Sequence, residues 1–182
     1  MNKLRAGILG ATGMVGQRFI TLLENHPWFE VTAAAASRDS AGKTYQEAVK
    51  GRWKIATPIP VGVGALVVLS VEDDIAKIKD QVDFVFSSMD MDKGAIRNIE
   101  ESYAAAGMPV VSNNSAHRSS PDVPMIMPEI NPQHLEIIPI QQKNRGWDKG
   151  FIAVKPNCSM QSYVPVLAAL KAFEPQQVIV TT

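Results

Sequence analysis

The sequence predicts a doubly wound α/β fold on a parallel sheet, and three observations carry that prediction. Short apolar runs alternate with segments of helical periodicity between residues 4 and 113. The first run passes directly into a turn with glycines at Gly7, Gly10, Gly13 and Gly16. A second apolar run follows the first helix closely enough to complete a βαβ unit, which is right-handed and joins parallel strands.

Leu4 to Leu9 is the first strand, stopping at glycine. In MVGQRFITLLENHP, Val15, Phe19, Leu22 and Leu23 fall on one helical stripe, and the helix ends before Pro27. FEVTAAAAS follows as the second strand. ALVVLS (65–70) and DFVFSS (83–88) are further buried strands, with VEDDIAKIKD as a short helix between them. KGAIRNIEESYAAAG spaces Ile96, Ile99, Tyr103 and Ala106 at helical intervals and ends at Gly107, and MPVVSN supplies the next strand. The segment between Arg38 and Gly64 is rich in glycine and proline and carries no firm element.

After Asn113 the texture changes. NNSAHRSSPDVPMIMPEINPQH is turn-rich and reads as an excursion from the sheet or a linker toward a second unit. GFIAVK (150–155) reads as a strand, 159–173 as a helix, and QVIVTT (177–182) as a strand with no continuation, the start of a larger second unit.

The 182 residues suffice for one sizeable domain, or for one domain and part of another. Eighteen basic residues balance eighteen acidic ones without a block of like charge, so neither nucleic acid nor an anionic membrane is favoured over a small metabolite. Glycines break the apolar N-terminus, which rules against a signal peptide, and no stretch approaches a membrane span. The single cysteine, Cys158, excludes an internal disulfide and fits a reducing cytoplasm.

The turn GILGATGMVG is a GxxGxxG relative of the dinucleotide fingerprint. Glycine allows positive φ and close approach of a pyrophosphate, while the helix start at Gly13 to Val15 offers N–H donors and a positive dipole end. At the end of the second strand, Ser37 and Arg38 suit a 2′-phosphate and favour NADP. Asp39 leaves open a ribose-hydroxyl reading, or an exposed pair with Arg38.

Cys158 lies between a predicted strand and a predicted helix, where amide donors favour a thiolate. A free cysteine is more often a buried structural residue. The flanking Pro156, Asn157 and Ser159 favour a nucleophile instead, and the Asn157 amide could donate to an oxyanion. Of three histidines, His26 sits at a helix end, while His117 and His134 reach Cys158 only if the proline-rich segment folds back.

Taken in order, GATGMVGQRF, HPWFEV, SAGKTY, MPVVSNNSAHR, VPMIMPEIN and PNCS resemble the aspartate-semialdehyde dehydrogenase family, in its archaeal and fungal-like branch. The resemblance runs through all 182 residues. N-acetyl-glutamyl-phosphate reductases share the turn but carry Gly-Cys at the nucleophile. The resemblance implies NADPH-dependent reduction of 4-aspartyl phosphate to L-aspartate 4-semialdehyde, on the route to lysine, threonine and methionine. Cys158 would be the attacking thiolate and Asn157 would position the carbonyl oxygen. Gly10, Thr12, Gly13, Met14 and Val15 would line the pyrophosphate. Ser37, Arg38 and Ser40 would take the 2′-phosphate, Ser87 and Ser88 would lie along the nicotinamide half, and Arg118 would hold phosphate.

The same resemblance implies a Rossmann-like NADP-binding unit over 1–133. The remaining 134–182 would open an α+β catalytic and dimerisation unit, in an enzyme that is a homodimer or homotetramer when full length. The family's general-base histidine and carboxylate-binding arginine belong to a second half beyond Thr182. The alternative is therefore a catalytically silent nucleotide-binding fragment. Two positions depart from the family pattern: Arg38 stands one place early, with Asp39 at the family's arginine position, and Met160 replaces a threonine.

Overall fold

The computed structural model describes residues 2–181. Strands β1 (Leu4–Leu9), β2 (Phe29–Ala36), β3 (Leu69–Ser70), β4 (Phe84–Ser87), β5 (Pro109–Ser112) and β6 (Phe151–Val154) form one sheet in the order β3-β2-β1-β4-β5-β6. Every neighbouring pair is parallel. The order reverses direction between β1 and β4, the place where doubly wound sheets open a crevice at their carboxyl ends. The doubly wound prediction is met.

Both faces of the sheet are covered, because successive residues of a strand point to opposite sides. Ala6 and Ile8 of β1 and Ala34 and Ala36 of β2 pack with Ile20 of helix α1 (Met14–Leu23) and with Tyr45 of the short α2 (Tyr45–Ala48). Leu9, Ala33 and Ala35 face the other layer, where they meet Ile78 of α4 (Ile75–Gln81) and Ile96, Ile99 and Tyr103 of α5 (Lys93–Ala105). A further short helix, α3 (Val61–Gly64), precedes β3.

Several expectations shift. The buried face of α1 is Gly16, Gln17, Ile20 and Leu23, whereas Val15 and Leu22 are exposed. Counting apolar residues misplaced the stripe, because a glycine and a polar Gln17 form part of the packed face. Only Leu69 and Ser70 of the expected ALVVLS strand pair in the sheet, since Ala65 caps α3. The segment 132–145, given no element above, holds a 3₁₀ turn (Pro132–Ile137) and helix α6 (Ile138–Arg145), closed by Gly146 at φ +67°. Pro139 sits in its first turn and Gly146 just past its end, which is the favourable arrangement of the two.

Strand β6, within the segment 134–182, pairs with β5 in the same sheet. Helix α6 covers the free edge of β6: Ile152 N–H donates to Gln141 Oε1 at 2.7 Å and Gln141 Nε2 donates to Ile152 O at 3.0 Å. A side-chain amide thus completes the edge as a neighbouring strand would. Helix α7 (Met160–Ala169) contains Pro165 and is followed by a 3₁₀ turn at Lys171–Phe173, in place of one continuous helix. No strand forms over 177–181, where Val178, Ile179 and Val180 are exposed, and Thr182 lies outside the described residues. A strand needs a partner edge, and the one at β6 is already taken by Gln141 and by Met125, which forms a parallel bridge with Val154. No helix among the described residues is long and apolar enough to cross a membrane.

Candidate functional site

The turn between β1 and α1 is held from behind and left open in front. Gly10 has φ +81°, and a Cβ there would lie 2.6 Å from the Ser88 carbonyl oxygen, so both the backbone and the space require glycine. A Cβ at Gly16 would run into the Gly10 carbonyl, which lets α1 pack directly onto the turn. The Tyr45 hydroxyl donates to Ala11 O at 2.8 Å, and buried Gln17 donates to Thr12 O and Arg52 O, both at 3.0 Å. These bonds engage the carbonyls. Gly13, the N-cap of α1, makes no side-chain cap, so the first-turn N–H groups point forward unpaired.

In front of them lies a cleft of about 390 Å³ lined by Gly10, Thr12, Gly13, Ser37, Arg38, Asp39, Glu72, Ser88, Met89, Asp90 and Met91, among others. Six predicted cofactor residues therefore meet here: Gly10, Thr12, Gly13, Ser37, Arg38 and Ser88. Met14 and Val15 flank the cleft at the exposed helix start without lining it. Ser40 is buried beneath it, with its hydroxyl 3.4 Å from Arg52 Nη2 and not in the wall. Ser87 is fully buried and donates to Glu100 Oε1 at 2.6 Å, so of the two serines only Ser88 lines the cleft.

Arg38 does not pair with Asp39. Its Nε and Nη2 donate to Asp73 at 2.6 and 2.8 Å, and Nη2 also meets Glu72 Oε2 at 2.9 Å. The guanidinium in turn holds the Asp73 carboxyl at about 2, below the usual carboxylate range, with the Ser70 hydroxyl as the second cause.

Cys158 is exposed in the loop between β6 and α7, at the same carboxyl edge of the sheet as the glycine turn. Three strand spacings separate β1 from β6 in the sheet order, roughly 14 Å at the usual inter-strand distance. Asn157 Oδ1 accepts from Ser159 N–H at 2.9 Å and from its hydroxyl at 2.6 Å, which fixes the carboxamide and leaves Nδ2 to donate elsewhere. Arg118 is tethered to the same loop, donating from Nε to Lys155 O at 3.1 Å. Burial pushes the Lys155 ammonium below its ordinary value and nearby Arg118 pushes it further, while Cys158 opposes both. Lys155 thus lies near the thiol, and Arg118 is held to its backbone.

His117 is not a partner for that thiol. It is fully buried, with Nδ1 3.2 Å from Ser120 Oγ and Nε2 facing Glu100. His134 is engaged through Nδ1 with Asn131 at 2.9 Å. His26 accepts from Trp28 N–H and Phe29 N–H at the end of α1, as its position suggested.

The model of the semialdehyde dehydrogenase NAD-binding domain matches residues 5–138, a span that contains the glycine turn, the cleft and Arg118. This chain belongs to the semialdehyde dehydrogenase family.

An aspartate-semialdehyde dehydrogenase of Archaeoglobus fulgidus is 44% identical over 162 residues, covering 84% of this chain and 42% of the relative. A malonyl CoA reductase (NADP) of Metallosphaera sedula is 38% identical over 180 residues, 98% of this chain and 48% of the relative. The crystal structure of aspartate-semialdehyde dehydrogenase with NADP from Candida albicans superposes with a TM-score of 0.81 at 37% identity, covering 96% of this chain and 48% of that one. The chain spans about half the length of the relatives it matches.

For this semialdehyde dehydrogenase domain the cleft fits the dinucleotide that the family binds. Forward-pointing amides, a wall free of Cβ atoms at Gly10 and Gly13, and an arginine at the end of β2 are the donors a pyrophosphate and a ribose need. Sequence reasoning missed Glu72, Asp73, Lys155 and Glu100. The first two follow β3, which is too short to announce itself. Lys155 was visible beside the cysteine as the first residue of KPNCS.

Proposed function

We propose that this chain supplies the cofactor-binding unit and the nucleophile of a phosphorylating aspartate-semialdehyde dehydrogenase, which reduces 4-aspartyl phosphate to L-aspartate 4-semialdehyde. The observation that carries this reading is the common carboxyl edge from which the glycine turn and the Cys158 loop both project. An extended dinucleotide on the cleft can lie along that edge toward Cys158.

When bound, NADPH would supply the hydride. The rest falls to the side chains. The Cys158 thiolate attacks the acyl carbon, the carbon–oxygen bond to phosphorus breaks, and inorganic phosphate leaves toward Arg118 and Lys155. Asn157 Nδ2 is positioned to donate to the carbonyl oxygen as it gains charge. Once the thioester is reduced, a proton would be needed at its oxygen, beside Asn157 Nδ2, and cleavage of the carbon–sulfur bond would return the Cys158 thiol and free the aldehyde. Neither His117 nor His134 suits the role of general base, so that proton is assigned to a group outside the described residues. Exposed Val166, Leu170, Phe173 and Ile179 support further packing of α7 and the segment after it, as a homodimer or homotetramer would provide.

A second reading has its own support: the malonyl CoA reductase relative uses a thioester where this reading has an acyl phosphate. The test is turnover by the protein expressed from its full reading frame. Phosphate-dependent reduction of NADP+ by L-aspartate 4-semialdehyde, lost in Cys158→Ser, is the expected result. Oxidation of NADPH by malonyl-CoA without semialdehyde activity would select the second reading, and no turnover with either would leave the silent-fragment alternative.

A further inference from the structure

Arg38 stands at the end of β2 in the cleft with Nε and Nη2 already engaged. Asp73 takes the Nε–Nη2 edge side-on, and a hydrogen bond of 2.8 Å from the Ser70 hydroxyl holds Asp73 in place. Glu72 Oε2 stands 2.9 Å from Nη2 as a second ion pair, while Nη1 has no partner among the described residues. The two carboxylates are not equivalent, because Glu72 lines the cleft and Asp73 does not. A guanidinium presents a phosphate with a fork of two N–H groups, and the end-on fork here is Nη1 with Nη2. Glu72 occupies half of that fork.

Charge points the same way. Arg38, Asp39, Glu72 and Asp73 together give this end of the cleft a net charge of −2, counted as one cation and three carboxylates. A 2′-phosphate brings further negative charge, whereas a 2′-hydroxyl brings none.

We infer that Glu72 sets the discrimination between a 2′-phosphorylated and a 2′-hydroxyl cofactor: it holds the place of the phosphate on Arg38 and must yield it, while Asp73 keeps the guanidinium oriented. The inference rests on the reading of the cleft as a dinucleotide site with Arg38 at the 2′ position. It assigns opposite roles to adjacent carboxylates. Glu72 competes with the phosphate, and Asp73 serves it.

The measurement is the ratio of NADH to NADPH dissociation constants by titration calorimetry, on the chain itself and on two variants. Removing the competing charge in Glu72→Gln should raise the preference for NADPH by about fivefold, the size expected for one exposed charge pair. Loss of the anchor in Asp73→Asn should lower the preference by a similar factor, with thermal unfolding followed to confirm the fold. A ratio that is unchanged or falls in Glu72→Gln, with both nucleotides still bound by the parent chain, overturns this inference alone. Binding of neither nucleotide by the parent chain overturns the cofactor reading and this inference together.

Discussion

Glu100 Oε2 and His117 Nε2 lie 3.9 Å apart in the interior, each without a hydrogen-bond partner among the described residues. Burial lowers the His117 pKa, against the raising influence of Glu100 and Glu101, so the ring is neutral when folded. In the unfolded chain it titrates near its ordinary 6.5. Below that value the unfolded state binds the extra proton, so stability rises with pH and is lost as pH falls through 6.5 toward the lower folded value. His117→Asn should flatten the dependence of unfolding free energy on pH in this window, where one proton contributes a slope of up to about 1.4 kcal/mol per pH unit. Urea titrations at a series of pH values check this, and an unchanged slope would remove His117 as its source.

The other oxygen of Glu100 ties two strands together. Oε1 accepts from Ser87 and Ser112 hydroxyls, both at 2.6 Å, and from Asn114 Nδ2 at 3.1 Å. One carboxylate therefore sets the ends of β4 and β5, next to Ser88 in the cleft and to Asn113, whose carbonyl accepts from Arg118. Glu100→Ala leaves two buried hydroxyls without their acceptor and should cost about 3 kcal/mol, whereas Glu100→Gln keeps an acceptor and should cost about 1. Equal losses in the two variants, measured by denaturant unfolding, would show that packing rather than hydrogen bonding decides.

How much of this was legible depends on where the information sits. The strand and helix over 4–23 could be read because glycine spacing and apolar periodicity are local signals. Ser37 and Arg38 were placed at the cleft because the end of β2 is fixed by the same βαβ unit. Ser87 and Ser88 sit side by side in sequence, but a strand turns them to opposite sides, so only Ser88 reaches the cleft. Glu100 carries no local signal in the sequence, since only the sheet above it supplies its three donors. Arg38 and Asp73 are 35 residues apart, and no local pattern links them. The edge pairing by Gln141 is likewise visible only once β6 has joined the sheet.

Gly13 and Gly16 separate binding from folding within one turn. A Cβ at Gly13 would meet only the Gly10 carbonyl oxygen at 3.4 Å, whereas at Gly16 it would collide with the backbone of Gly10 and Ala11. Gly16→Ala should therefore displace α1 and destabilise the fold by about 3 kcal/mol. Gly13→Ala should change stability by less than about 1 kcal/mol yet weaken NADPH binding, because its methyl group enters the pyrophosphate wall. Thermal unfolding and calorimetry on both variants test the contrast. Intact NADPH affinity in Gly13→Ala would move the pyrophosphate away from this turn.

Cys158 should be separable from the cofactor in the same way. It is exposed, contributes nothing to the buried core, and lies outside the residues that line the cleft. A serine there keeps the volume and the loop but is a far weaker nucleophile, so acylation should fall by several orders of magnitude while NADPH affinity stays within about twofold. Incubation with an acyl phosphate followed by intact mass measurement reads the first effect, as one acyl adduct on the parent chain and none on Cys158→Ser. Calorimetry reads the second. An adduct that persists in Cys158→Ser would place the nucleophile elsewhere, and loss of NADPH binding in that variant would make the thiol a structural element of the cleft.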